Sequence, residues 1–140
     1  MVPLQEQIDT PAALRTHPRS TLPQLALAVA EAIDATVGSM RFVKPLDAEL
    51  IGKLALDHDA LATVEKNVVM GGAGSAVAEA FAAQGIEMPL LQLGFADTFP
   101  DHGEPAKLLA GCGLDAAGIV QAVNARFGHR RREAVAKPAA

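Results

Sequence analysis

The sequence predicts an α/β fold, a three-layer α/β/α sandwich around a mostly parallel sheet. Short apolar runs at residues 60–65 and 90–93 alternate with helical patterns of roughly ten residues, and no stretch reads as two adjacent hairpin strands. The first run continues through Lys66-Asn67-Val68-Val69-Met70 into Gly71-Gly72-Ala73-Gly74-Ser75 and a helical pattern. Open parallel sheets place such strand–turn–helix units at the carboxyl ends of their strands. Aromatic residues are scarce, with five Phe and no Tyr or Trp in 140 residues. Ala, Leu and Val must fill the core, which suits helices lying close on a sheet.

Residues 1–21 form an irregular lead-in. Pro3, Pro11 and Pro18 interrupt it, and the residues before a proline avoid helix. From Leu22 the spacing of Leu25, Val29, Ala30 and Ile33 predicts an amphipathic helix, ended by Asp34 and capped by Ser20 or Thr21. Residues 35–40 read as a short strand and residues 41–45 as a loop. Asp47 is the expected N-cap of a helix over 48–56, with Leu50, Ile51, Leu54 and Ala55 facing inward.

After the glycine turn, the spacing predicts a helix over 76–84, capped by Ser75 and terminated by Gly85. Residues 90–93 read as a fully buried strand, and 94–103 as a loop rich in polar and aromatic residues. Two helices close the domain, one from Glu104 to about 110 and one over 116–127 capped by Asp115. The domain thus spans 22–128, with 129–140 as a flexible tail, basic at Arg130-Arg131-Arg132 and then rich in Ala.

A net charge of −4 gives no reason to expect nucleic acid as partner. No apolar run approaches the roughly 20 residues of a membrane span, and the start lacks the pattern of a signal peptide. Cys112 is the single cysteine, so no internal disulfide or cysteine-rich metal site is possible. A cytoplasmic location fits these features.

The glycine turn carries two readings. Gly72 and Gly74 satisfy two of the three glycines of a dinucleotide fingerprint, and a helix start there could hold an anion. No Lys follows the turn, as a P-loop requires, and the strand over 90–93 ends in Gly94 instead of the acidic residue a dinucleotide site wants. The structural reading of the turn is favoured. Glu65, at the strand's end, could act as a base or bond the turn's amides, and the second is favoured. Asp97, Asp101 and His102 share one loop but lack a regular metal-ligand interval. Cys112, without a nearby His, reads as an inert small hydrophobe. No self-sufficient catalytic, cofactor-binding or metal set emerges.

Three segments together carry a resemblance. Asp34-Ala35-Thr36-Val37-Gly38-Ser39-Met40-Arg41-Phe42-Val43-Lys44-Pro45-Leu46-Asp47 is one. Thr63-Val64-Glu65-Lys66-Asn67 with Met70-Gly71-Gly72-Ala73-Gly74-Ser75 is the second. The third joins Gly94-Phe95-Ala96-Asp97-Thr98-Phe99, His102-Gly103 and Gly113-Leu114-Asp115-Ala116-Ala117-Gly118-Ile119. Over residues 22–127 the chain resembles the carboxy-terminal, transketolase C-terminal-like domain of 1-deoxy-D-xylulose-5-phosphate synthase.

The resemblance implies the third domain of a thiamine-diphosphate transferase. Such an enzyme condenses pyruvate with glyceraldehyde 3-phosphate, releases carbon dioxide and feeds isoprenoid synthesis. Thiamine diphosphate, magnesium and most substrate contacts belong to two preceding domains, so the chain is expected to be inactive by itself and to hold no cofactor. Its partners would be those domains, or a second copy in a homodimer. Glu65, Gly71, Gly72, Gly74, Ser75, Asp97 and His102 would face neighbouring protein or an anion. A stand-alone module that binds a protein partner or an anion at the turn is the alternative.

Two departures from the family pattern stand out: Ala96 where the loop normally has Pro, and Lys66 where an acidic residue is usual. At the front, residues 13–21 hold the place of an apolar strand ending in glycine. The expectation is that this first strand is missing or replaced, through a truncated or frame-shifted gene.

Overall fold

The computed structural model describes residues 21–40 and 42–136, with side chains for residues 25, 28–40 and 42–128. The lead-in, and with it the expectation of a missing or replaced first strand, lies outside the described residues. Contacts divide the chain into two compact units, Met1–Arg41 and Phe42–Ala140.

In the first unit α1 spans Thr21–Ile33 and buries Val29, as the helical spacing predicts. Asp34 ends it in the left-handed region, φ 54°, and the Ala35 amide donates to the Ala30 carbonyl at 3.0 Å. The strand expected over 35–40 is not formed: these residues are irregular, and Ala35, Thr36, Gly38 and Met40 are exposed. The physical reason lies in the nature of a strand. A helix closes its hydrogen bonds within itself, whereas a strand exists only beside another, and β-propensity is set by that context.

The second unit runs α2 (Ala48–Asp57), β1 (Leu61–Val68), α3 (Ala73–Gln84), β2 (Leu90–Phe95), α4 (Pro105–Gly111) and α5 (Ala116–Ala136). The strands β1 and β2 pair in parallel, Leu61 opposite Leu90 through Val64 opposite Leu93, with an irregularity before Val68 meets Phe95. Among the described residues the sheet has two strands where the sequence predicts three. The α/β class and parallel pairing are as expected.

Helix α2 begins as the sequence indicates, with the Asp47 Oδ1 accepting the Leu50 amide at 2.9 Å. Helix α3 ends at Gly85, whose φ of 65° is cheap for glycine alone, and its amide donates to the Ala82 carbonyl at 3.3 Å. Ile51 of α2 and Val77 and Phe81 of α3 form the buried core, with Leu46, Ala55, Leu61, Ile86, Met88 and Leu90 packed around them. Helix α5 lies against β2. It opens with the Asp115 Oδ1 accepting the Gly118 amide at 2.8 Å.

Helix α5 continues to Ala136, past residue 127 where the apolar spacing fades. Backbone propensity explains the difference: no proline occurs between Phe127 and Ala136, and Arg, Glu and Ala are good helix formers. The stretch Pro105–Gly128 is long and apolar enough to cross a membrane by composition. It is nevertheless two helices, interrupted by a turn at 112–115.

Candidate functional site

Both parallel strands end at the same edge of the sheet, and two connections leave it there. The first is the glycine turn after β1; the second is the loop after β2. They are tied at the root by the Val69 amide, which donates to the Phe95 carbonyl at 3.1 Å. Gly94 permits this closeness, because a Cβ there would stand 2.7 Å from the Asn67 carbonyl oxygen and 2.9 Å from Val69 Cγ2.

The turn is organised by Glu65, a buried carboxylate three residues before the end of β1. Its Oε2 accepts the Ala73 amide at 2.9 Å and its Oε1 accepts the Gly74 amide at 2.9 Å. These are the first two amides of α3, which have no partner inside the helix. The negative carboxylate also complements the positive end of the helix dipole. Of the two readings open to Glu65, the structure has it bonding the turn.

Helix α3 starts at Ala73, three residues before the spacing indicates, and Gly72 is its N-cap without a side-chain bond. Ser75 is therefore not the cap. It sits inside the first turn, where its hydroxyl accepts the Gly71 amide at 3.0 Å and donates to the Val69 carbonyl at 2.6 Å. Gly71 takes φ 73°, the left-handed conformation that lets the chain reverse. A Cβ on Gly72 would collide with the Glu65 carboxylate and stand 2.5 Å from the Val68 carbonyl oxygen. One on Gly74 would lie 2.7 Å from Thr63 Oγ1. The glycines are small because an acid must reach the helix beneath them.

This geometry bears directly on anions. Glu65 already takes the amides that a phosphate would use at a helix start, so the anion-binding alternative finds no support at this turn. A thiamine diphosphate does not fit the turn for the same reason. Among the described residues no group of three His, Cys, Asp or Glu is placed to hold a metal ion.

Asp97 and His102 stand apart from this arrangement. Both are exposed on the loop after β2, and no hydrogen bond or ion pair links them to Glu65 or to each other among the described residues. A cleft of about 580 Å³ lies at the opposite, amino-terminal end of the strands, lined by His58, Asp59, Gln84, Glu87 and Met88. It contains none of the expected site residues. Sequence reasoning missed Thr63, whose buried hydroxyl, beside Gly74, has no partner among the described residues. It also missed Met70 and Phe99, exposed on the turn and the loop; their signal was apolar side chains standing in connections.

The family described as "Transketolase, C-terminal domain" matches residues 20–119, most of the chain. The chain belongs to the transketolase C-terminal domain family. Its relatives include the 1-deoxy-D-xylulose-5-phosphate synthase of Bordetella parapertussis, 63% identical over 108 residues, 77% of this chain and 17% of that protein. The synthase of Cupriavidus taiwanensis is 64% identical over 105 residues, 75% of this chain and 16% of that protein. This transketolase C-terminal domain therefore spans about one sixth of the length of the curated relatives it matches. A solved structure, "Split gene transketolase, inactive beta4 tetramer", aligns with a TM-score of 0.68 at 34% identity, covering 75% of this chain and 36% of that one.

Proposed function

We propose that the chain serves as the carboxy-terminal domain of a 1-deoxy-D-xylulose-5-phosphate synthase and acts by packing against that enzyme's other domains. The carrying observation is identity of 62–64% to such synthases over their carboxy-terminal portion. The reaction proposed for the whole assembly condenses pyruvate with glyceraldehyde 3-phosphate and releases carbon dioxide.

Thiamine diphosphate and magnesium belong, in this reading, to the preceding domains, wherever those are encoded. The residues of the glycine turn are committed to one another: Glu65 to Ala73 and Gly74, and Ser75 to Gly71 and Val69. They shape an edge, and Asp97 and His102 extend it along the neighbouring loop. We assign that edge to contact with the rest of the enzyme or with a second copy. A transketolase structural neighbour that is a tetramer supports partners of this kind. A cytoplasmic setting follows from the same assignment.

A segment exchange tests the proposal. The carboxy-terminal portion of the Bordetella parapertussis synthase is replaced by the matching residues of this chain and assayed for synthase turnover. Activity within about tenfold of the parent supports the assignment. A folded but inactive exchange enzyme contradicts it.

A further inference from the structure

Two large apolar side chains project from the connections at the carboxyl edge of the sheet. Met70, at the apex of the glycine turn, is 68% exposed, and Phe99, on the loop after β2, is fully exposed. The 3.1 Å bond between Val69 and Phe95 roots both connections at one place. A single exposed apolar residue needs no explanation, but a fully exposed aromatic side chain on one connection and a second exposed apolar side chain on the connection rooted next to it have the composition of interface anchors.

The charges around Phe99 describe what it meets. Residues 96–107 are all exposed, so the loop lies outside the core. Glu104 is paired with Lys107 at 3.0 Å, whereas neither Asp97 nor Asp101 has an ion-pair partner among the described residues. Two uncompensated carboxylates thus flank an aromatic ring two residues away on each side.

We propose that Phe99 and Met70 are the anchors by which this edge docks onto the remainder of the synthase, with Phe99 entering an apolar pocket rimmed by cationic side chains that face Asp97 and Asp101. This rests on the assignment of the chain as the synthase's carboxy-terminal domain. That assignment also identifies the occupant, because the matched stretch is only 17% of the Bordetella parapertussis relative, and the rest of such an enzyme lies beyond it. Complementary charge gives register, and the buried ring supplies most of the affinity.

The test uses the exchange enzyme with its cofactor bound, beside the full 140-residue chain alone. Amide hydrogen exchange is read at residues 96–103 together with turnover. In the exchange enzyme the loop exchanges at least about tenfold more slowly than in the chain alone, as burial in an interface requires. Phe99→Ala with Met70→Ala removes that protection and lowers turnover at least about tenfold. Leu56→Ala, equally apolar and exposed but at the far end of α2, leaves both unchanged. The double variant keeping loop protection and turnover overturns the anchors while leaving the domain assignment standing. An unsubstituted exchange enzyme with no turnover and an unprotected loop overturns both.

Discussion

The Glu65 carboxylate and the Gly74 amide stand 2.9 Å apart, although they are nine positions apart in the chain. A buried acid of the strand thereby caps the helix that follows, and the turn between them is held from below. The relationship converts a flexible glycine-rich segment into a fixed edge.

Removing the acid exposes the cost of the two amides it satisfies. Glu65→Ala leaves the Ala73 and Gly74 amides without a partner in a buried setting, at a cost of about 1–3 kcal/mol. Glu65→Gln keeps one acceptor oxygen and loses less. Thermal melts of the chain should rank wild type above Glu65→Gln and Glu65→Ala lowest, by several degrees for a domain of this size.

The glycines above the carboxylate are constrained by space. Gly74→Ala places a Cβ 2.7 Å from Thr63 Oγ1 and 3.2 Å from Gln92 Cγ, and should destabilise by about 1–3 kcal/mol. Gly72→Ala meets the acid itself and a backbone carbonyl, so its loss should be the larger. Gly111→Ala, where a Cβ would meet nothing within 4 Å, is the control and should melt close to wild type. Urea midpoints measure all three.

Thr63 offers a change in the other direction. Its hydroxyl is buried without a hydrogen-bond partner among the described residues, so burial carries an uncompensated cost. Thr63→Val keeps the shape and removes that polar atom. The urea midpoint should stay level or rise; a marked fall would show that the hydroxyl does useful bonding.

The Lys53 pair on α2 bears on pH. The Glu49 carboxylate lies 2.7 Å from the ammonium, and its hydrogen bond and then its charge raise the Lys53 pKa above the ordinary 10.5. A raised folded value means stability that is complete below about 10.5 and is lost as pH rises through the higher value. Both groups are exposed, so the effect is small. Glu49→Gln should return the Lys53 titration, followed by NMR of the side chain, towards 10.5 and scarcely alter the melt at pH 7.

Much of the fold could be read from the chain because its signals are local. Asp47 and Asp115 cap the helices they precede, and Gly85 stops α3, since each acts within four residues of itself. Glu65 is legible as the acid at the end of the apolar run, although its partners lie eight and nine positions on. Its reach across the turn made Ser75 a false cap: the helix begins on Gly72 and Ala73, whose lack of polar side chains hides a cap supplied from β1. Residues 35–40 have strand composition but no strand pairing, which composition cannot report. The exposure of Met70 and Phe99 belongs to tertiary placement, so the same residues read as core or surface until the fold is known.

Release of carbon dioxide from carboxyl-labelled pyruvate, with thiamine diphosphate and magnesium present, tests the central claim most directly when the 140-residue chain and the exchange enzyme are compared side by side. The exchange enzyme should release it on addition of glyceraldehyde 3-phosphate, and the chain alone should release none above the protein-free rate. Cofactor-dependent release by the chain alone would contradict the account, since its glycine turn is already filled by Glu65.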